Sequence, residues 1–133
     1  SALLALAEVR IKSGRPAEAL ADVERAAARA RELSYPKVWD LDYLRGDALA
    51  RLGREEEAVA AFRAEIAAFP TNPLPYVSLA VLRAVKGDRA GVDRVLEEMV
   101  RANPSPSARL AAAATYDRLG APAQAAEWRR RAR

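Results

Sequence analysis

The sequence predicts an all-α fold built from about four helix-turn-helix repeats, and three observations support this prediction. Hydrophobic residues make up 51% of the 133 residues and aromatic residues only 6%, because alanine and leucine, both strong helix formers, supply most of the apolar surface. Prolines recur at Pro36, Pro70 and Pro104, at a spacing of 34 residues. A glycine follows each of these prolines after 16 or 17 residues, and a period of this length is typical of repeated helical hairpins.

Each half of a repeat is predicted to be one amphipathic helix. Apolar residues recur at helical spacing, for example from Leu41 to Leu52 and again from Ala58 to Phe69. A glycine between two helices supplies the positive φ that ends the first helix, and a proline at the start of the next costs no hydrogen bond there. The predicted helices cover residues 2–13, 16–33, 37–52, 55–69, 73–86, 89–102, 105–119 and 122–132.

The first repeat is longer than the others. Gly14 marks its turn, and the interval from Gly14 to Gly53 is 39 residues rather than 34. We therefore expect its second helix to be longer and to run into Tyr35 and Trp39. Because the chain begins at Ser1 with an apolar helix, we also expect it to be a fragment of a longer protein. A chain of this length predicts a single domain over residues 1–133, with repeats at about 1–35, 36–70, 71–104 and 105–133.

The second repeat carries a family resemblance. The segment from Gly46 to Gly53, followed by Ala58, Phe62 and Pro70, resembles a tetratricopeptide repeat of the bacterial type. The resemblance extends over essentially the entire chain and implies a right-handed α-solenoid. It also implies small residues where two helices cross, because a bulky side chain would overpack those crossings. Seven residues before and five residues after the turn glycines the chain has Ala7, Gly46, Ala80, Ala113, Ala19, Ala58, Val92 and Ala125.

Two repeats depart from the family pattern. The second repeat has Asp42, Arg45 and Glu65 where the family has apolar or small residues, and the fourth has Arg109 and Arg129. A polar last repeat is typical of a unit that caps an array, because its outer face has no neighbour to cover it.

The sequence offers no catalytic machinery. Cysteine and histidine are absent, which excludes thiolate nucleophiles and most zinc sites and removes the side chain that most often transfers protons near neutral pH. The acidic run Glu55–Glu57 follows Gly53 at a helix start, where negative charge is stabilised by the unpaired N–H groups. We therefore expect no enzymatic activity and no cofactor or metal. No apolar run is long enough to span a bilayer, so we expect a soluble protein of either the cytoplasm or the periplasm.

Positive charge is concentrated near the C-terminus. The formal net charge is +4, and residues 101–133 carry 7 basic and 2 acidic residues. Arg129, Arg130, Arg131 and Arg133 lie beside Trp128 and could in principle contact phosphates. Cations in the last turn of a helix also complement its dipole, and Trp128 is expected to pack against the preceding helix. We therefore do not expect nucleic acid as a partner.

The resemblance implies a concave surface lined by the first helix of each repeat. The positions that it assigns to this surface are Leu4, Glu8, Ile11, Lys12, Tyr43, Asp47, Ala50, Arg51, Val77, Val81, Ala84, Val85, Leu110, Ala114, Asp117 and Arg118. Glu8 with Lys12 and Asp47 with Arg51 are opposite charges four residues apart, a spacing that favours ion pairs on the helix surface.

An apolar strip is expected on the later part of this surface. Val77 and Val81 should lie beside Leu110 and Ala114, with Tyr43 as an aromatic residue at the edge, and an exposed apolar strip usually marks a contact surface. We expect the chain to bind a peptide or an amphipathic helix in this groove. An alternative remains open, in which the chain is a structural or oligomerisation domain of a larger bacterial protein and self-associates through the same groove.

Overall fold

The computed structural model describes all 133 residues and contains eight α-helices and no β-strand. Successive helices pair into four hairpins. Their bounds are α1 (Ala2–Lys12), α2 (Pro16–Glu32), α3 (Leu41–Arg51), α4 (Glu55–Ala68), α5 (Pro73–Val85), α6 (Arg89–Ala102), α7 (Pro106–Arg118) and α8 (Pro122–Arg131).

The helices form two compact units, the N-terminal unit (Ser1–Phe69) and the C-terminal unit (Pro70–Arg133). In the N-terminal unit, α1 pairs with α2 and α3 pairs with α4, and α3 also packs against both helices of the first hairpin. In the C-terminal unit, α5 pairs with α6 and α7 pairs with α8, and α7 also contacts both α5 and α6. Each unit is therefore a stack of two hairpins.

The turn glycines have the conformation that the sequence predicts. Gly14, Gly53, Gly87 and Gly120 all have φ between 73° and 77°. After each of them, the next backbone N–H reaches back to a carbonyl five residues earlier, at N···O distances of 2.8 to 3.0 Å. This bond is part of the Schellman motif, which satisfies carbonyls at a helix end. The same turn therefore closes all four hairpins.

The prediction for the residues between α2 and α3 is wrong. Helix α2, with 17 residues, is longer than α4, α6 and α8, as expected, but it ends at Glu32 and does not run into Tyr35 or Trp39. The third helix begins at Leu41 rather than at residue 37. Residues 33–40 form a loop instead, because Pro36 has no N–H for a helical hydrogen bond and disfavours helical geometry in the residue before it. The loop is fixed to the end of α4, where Trp39 packs edge-on against Phe69 with ring centroids 5.0 Å apart.

The small residues at the helix crossings are confirmed by their burial. Ala7, Ala19, Ala58, Ala80 and Ala125 are each 0% exposed. Gly46 leaves even less space, since a Cβ atom placed on it would lie 2.6 Å from the ring of Phe62. The hairpins therefore pack through close backbone contacts.

Each unit has its own apolar core. The core of the N-terminal unit includes a cluster between α1, α2 and α3, formed by Leu4, Ala7, Ile11, Ala19, Val23, Ala26, Ala27, Leu41, Leu44 and Ala48. Helix α4 adds the buried Ala58, Ala61, Phe62 and Ile66. The core of the C-terminal unit includes Tyr76, Leu79, Ala80, Val92, Val95, Leu96, Met99, Ala112, Ala113, Tyr116, Ala125 and Trp128.

Candidate functional site

Helix α3 presents mainly polar side chains, whereas α1 also exposes the apolar side chains of Leu6 and Val9, which are 39% and 58% exposed. Asp47 and Arg51 form the expected ion pair, with Nε 2.9 Å from Oδ1. Tyr43 is half-buried, and its ring packs at 6.1 Å from that of Phe62 in the same unit. Tyr43 therefore contributes to the packing of its own hairpin as well as to the surface.

Two residues expected on the concave surface belong to the core instead. Leu4 is 7% exposed and Ile11 is 3% exposed. Helix α1 contacts both α2 and α3, so this side of α1 is enclosed by two neighbours. The predicted surface position of these two residues is therefore wrong.

The first helices of the C-terminal unit present an apolar face. Val77 and Val81 on α5 are half-buried, whereas Leu110 on α7 is 51% exposed and Ala114 is also exposed. Because α5 and α7 are in contact, these side chains form one two-helix surface, which we call the α5–α7 face.

The α5–α7 face is longer than the sequence analysis indicated. Leu74 is 42% exposed and Val85 is 82% exposed. Leu74, Val77, Val81 and Val85 follow one another at steps of three, four and four residues, which places them on one side of α5. The same spacing in the sequence could have identified Leu74, which was missed as a member of this apolar strip.

Asp117, another expected surface residue, is engaged within its own hairpin. Its carboxylate forms an ion pair with Arg129 of α8. Arg118, the next residue, is exposed. The charge of Asp117 is therefore largely compensated, and it adds little electrostatic character to the α5–α7 face.

Most of the C-terminal arginine cluster also has intramolecular partners. Arg130 and Arg131 both pair with Glu127. The guanidinium of Arg131 also lies 4.7 Å from the centroid of the Trp128 ring, a cation–π contact. Trp128 itself is buried on α8, which packs against α7, so it packs against the preceding helix as the sequence predicts.

Glu65 explains one of the departures in the second repeat. Its side chain is fully buried and accepts hydrogen bonds from the backbone N–H groups of Asp40, at 3.0 Å, and Tyr43, at 3.2 Å. The carboxylate therefore caps α3 from the neighbouring helix, where the helix dipole favours a negative charge. The same bonds hold Asp40 at φ 66°, a conformation that is unusual for a residue other than glycine.

Asp22 is the other fully buried carboxylate. It accepts two hydrogen bonds from Arg10, at 3.0 and 2.9 Å, and pairs with Arg25 on its own helix. The interaction with Arg10 joins α1 to α2. Both buried carboxylates thus connect elements of the N-terminal unit.

The fold and these surfaces define the class of protein. A chain made only of helical hairpins, each closed by the same glycine turn, is a helical-repeat protein of the α-solenoid class. None of its helices has both the length and the hydrophobicity needed to cross a membrane.

Comparison with known proteins identifies the family. The tetratricopeptide repeat model matches residues 4–73, more than half of the chain. The chain therefore belongs to the tetratricopeptide repeat family. Members of this family generally mediate protein–protein interactions as non-catalytic scaffolds.

Two solved structures show the same fold. A crystal structure of MamA is 18% identical in sequence and has a TM-score of 0.65, with 98% of this chain and 74% of that chain covered. A second MamA structure is also 18% identical and has a TM-score of 0.64, with 98% and 69% covered. No curated protein matches the sequence.

Proposed function

We propose that the chain is a protein-interaction scaffold that holds an amphipathic helix or an extended apolar peptide against the α5–α7 face. The observation that carries this proposal is the row of exposed apolar side chains on two adjacent first helices, with Val85 82% and Leu110 51% exposed. Exposed apolar surface of this kind is costly in water and usually marks a binding surface.

The dimensions of the face favour a short helix or peptide as the partner. The strip on α5 runs from Leu74 to Val85, which corresponds to about 17 Å at the helical rise of 1.5 Å per residue. Ala114 on α7 is small and exposed, so a bound backbone could approach closely there. A partner with apolar residues at steps of three and four would match this strip.

The N-terminal unit would contribute differently. Its first helices carry the ion pairs Glu8–Lys12 and Asp47–Arg51, both at the surface. We propose polar contacts to a partner for this unit, with Tyr43, Asp47 and Arg51 as the residues concerned. The proposal includes no catalytic step and no cofactor.

A peptide-display selection on the whole chain tests the proposal. We expect peptides enriched on the wild-type chain to carry apolar residues at steps of three and four, and to lose binding to the Leu110→Glu and Val81→Glu variants. Leu110→Glu is the safer variant for folding because this side chain is 51% exposed. Ala90→Glu, at an exposed position on α6, adds the same charge elsewhere and should leave binding unchanged.

Two results would contradict the proposal. One is the absence of any enriched peptide, and the other is equal binding to the wild type and to Leu110→Glu. Light scattering over a range of protein concentrations distinguishes peptide binding from the alternative function, self-association as a structural or oligomerisation domain. A dimer that forms with increasing concentration and is lost in Leu110→Glu would assign the α5–α7 face to self-association.

A further inference from the structure

A pocket of about 340 Å³ lies between the two hairpins of the C-terminal unit, close to their turns. Its apolar walls include Ala84, Val92, Leu119 and Ala121. The volume is at the lower end of the range of roughly 300 to 1,000 Å³ that small-molecule sites occupy. A ligand of few heavy atoms would therefore fit.

Two opposite charges line the same pocket. Arg89 and Asp93 are four residues apart on α6, so their side chains lie on one side of that helix. They form no ion pair with each other, and no ion pair or hydrogen bond engages the guanidinium of Arg89 in the fully described chain. The pocket thus offers one cation without a partner and one anion, on adjacent turns of a helix.

The carboxylate of Asp93 is held in place from inside the unit. The hydroxyl of the buried Tyr116 donates a hydrogen bond to it. Burial, together with this bond to Asp93, raises the pKa of Tyr116 above its ordinary value. The phenol therefore remains a hydrogen-bond donor at neutral pH, and the second oxygen of Asp93 is left to accept a bond from a ligand.

The equivalent cleft of the N-terminal unit has a different composition. Three residues before the turn glycine, the N-terminal unit has Ile11 where the C-terminal unit has Ala84. Six residues after the turn glycine, the N-terminal unit has Leu20 where the C-terminal unit has Asp93. Ile11 is part of the core of that unit and is 3% exposed. The pocket and its charges are therefore a property of the C-terminal unit and do not follow from the repeat itself.

The charges restrict the kind of ligand. A simple anion would be attracted by Arg89 but repelled by Asp93, and a simple cation would meet the opposite conflict. We propose that the pocket binds a small zwitterion with an aliphatic body, such as an α-amino acid with a branched aliphatic side chain. Its carboxylate pairs with Arg89, its ammonium group pairs with Asp93, and its side chain packs against the apolar walls.

Titration calorimetry on the whole chain, with L-leucine as the probe, tests this proposal. We expect saturable binding with a millimolar or lower Kd. N-acetyl-L-leucine lacks the ammonium charge and L-leucinamide lacks the carboxylate, so each should bind at least about tenfold more weakly, the loss expected when one charged hydrogen bond is removed. The absence of binding at millimolar concentrations, or equal binding of either analogue, would overturn the proposal.

Matched variants locate the site. Ala84→Ile introduces the residue that the N-terminal unit has at this position and should abolish binding by filling the pocket. Arg89→Gln should weaken binding of L-leucine at least about tenfold, and Arg94→Gln, an exposed position outside the pocket on the same helix, should not change it. Full affinity in a folded Ala84→Ile variant would contradict the assignment. If circular dichroism shows that Ala84→Ile does not fold, the comparison of Arg89→Gln with Arg94→Gln decides whether L-leucine binds in this pocket. Equal affinities of these two variants would then contradict the assignment.

Discussion

The two units are built from the same hairpins but differ in what they bury. The N-terminal unit encloses two carboxylates, Asp22 and Glu65, both 0% exposed. At the equivalent positions of the third hairpin, eight and twelve residues after the turn glycine, the C-terminal unit has Val95 and Met99. Its own buried polar side chains include the neutral Asn72 and Thr115.

This difference indicates how an irregular repeat is accommodated. Glu65 lies where the chain departs from the regular pattern, and it holds the residues that lead from the 33–40 loop into α3. Asp22 instead joins α1 to α2 within the first hairpin. The C-terminal unit has no buried carboxylate and no loop of this kind between its hairpins. It instead has an exposed apolar face and a pocket, the two features on which the functional proposals rest.

Removing the carboxylate that caps α3 should have the largest effect. Glu65→Ala leaves two backbone N–H groups without this acceptor, and we expect the free energy of unfolding to fall by about 3 kcal/mol. Urea denaturation followed by circular dichroism measures this loss. Glu56→Ala, an exposed position on the same helix, is the control and should change the value by less than about 0.5 kcal/mol. Equal losses in the two variants would show that Glu65 has no special structural role.

Adding a methyl group at Gly46, where two helices cross most closely, should lower the stability by a smaller amount. Gly46→Ala places a methyl group 2.6 Å from the ring of Phe62, and we expect a loss of about 2 kcal/mol from overpacking. The first hairpin tolerates Ala7 at the equivalent position because its partner nine residues after the turn glycine is the smaller Val23. Thermal unfolding measures the loss, and an unchanged Tm would contradict the described contact.

The hydroxyl of Tyr116 should make stability in the C-terminal unit depend on alkaline pH. Its pKa is raised in the folded state, so its contribution is present below the ordinary tyrosine pKa of about 10 and is lost as the pH rises above that value. At neutral pH, Tyr116→Phe should lower the free energy of unfolding by about 1 kcal/mol, because the hydrogen bond to Asp93 is lost. Denaturation at a series of pH values should show the wild-type advantage shrinking above pH of about 10. A constant difference would contradict the assignment.

The surface ion pair of α3 should have the smallest effect. Asp47→Ala removes a pair that is partly exposed to solvent, and we expect a loss of about 0.2 to 0.5 kcal/mol that disappears at high salt. Urea denaturation at low and high ionic strength measures it. A loss as large as that of Glu65→Ala would mean that the pair is structural rather than a surface interaction.

The sequence predicted the repeated elements well, because spacing alone specifies them. The glycine turns and seven of the eight helices lie where periodicity places them. The prediction from the sequence failed between α2 and α3. The inserted residues could either extend a helix or form a loop, and their number alone does not distinguish the two. Glu65 was noticed only as a departure from the family pattern, since its partners are backbone groups that no residue spacing reveals.

The candidate sites were less predictable for a similar reason. The positions of the concave surface followed from the family resemblance, but burial decided which of them are exposed, as Ile11 and Val85 show. The pocket depends on a small residue, Ala84, at a position where another hairpin has Ile11. A difference of this kind becomes a cavity only when the surrounding helices are in place.

Hydrogen exchange on the whole chain, with and without the best peptide from the display selection, tests the central claim most directly. We predict that bound peptide slows exchange in α5 and α7 far more than in α1 and α3, because the α5–α7 face, against which the peptide is proposed to lie, belongs to the C-terminal unit. Slower exchange confined to α1 and α3, with α5 and α7 unchanged, would contradict it.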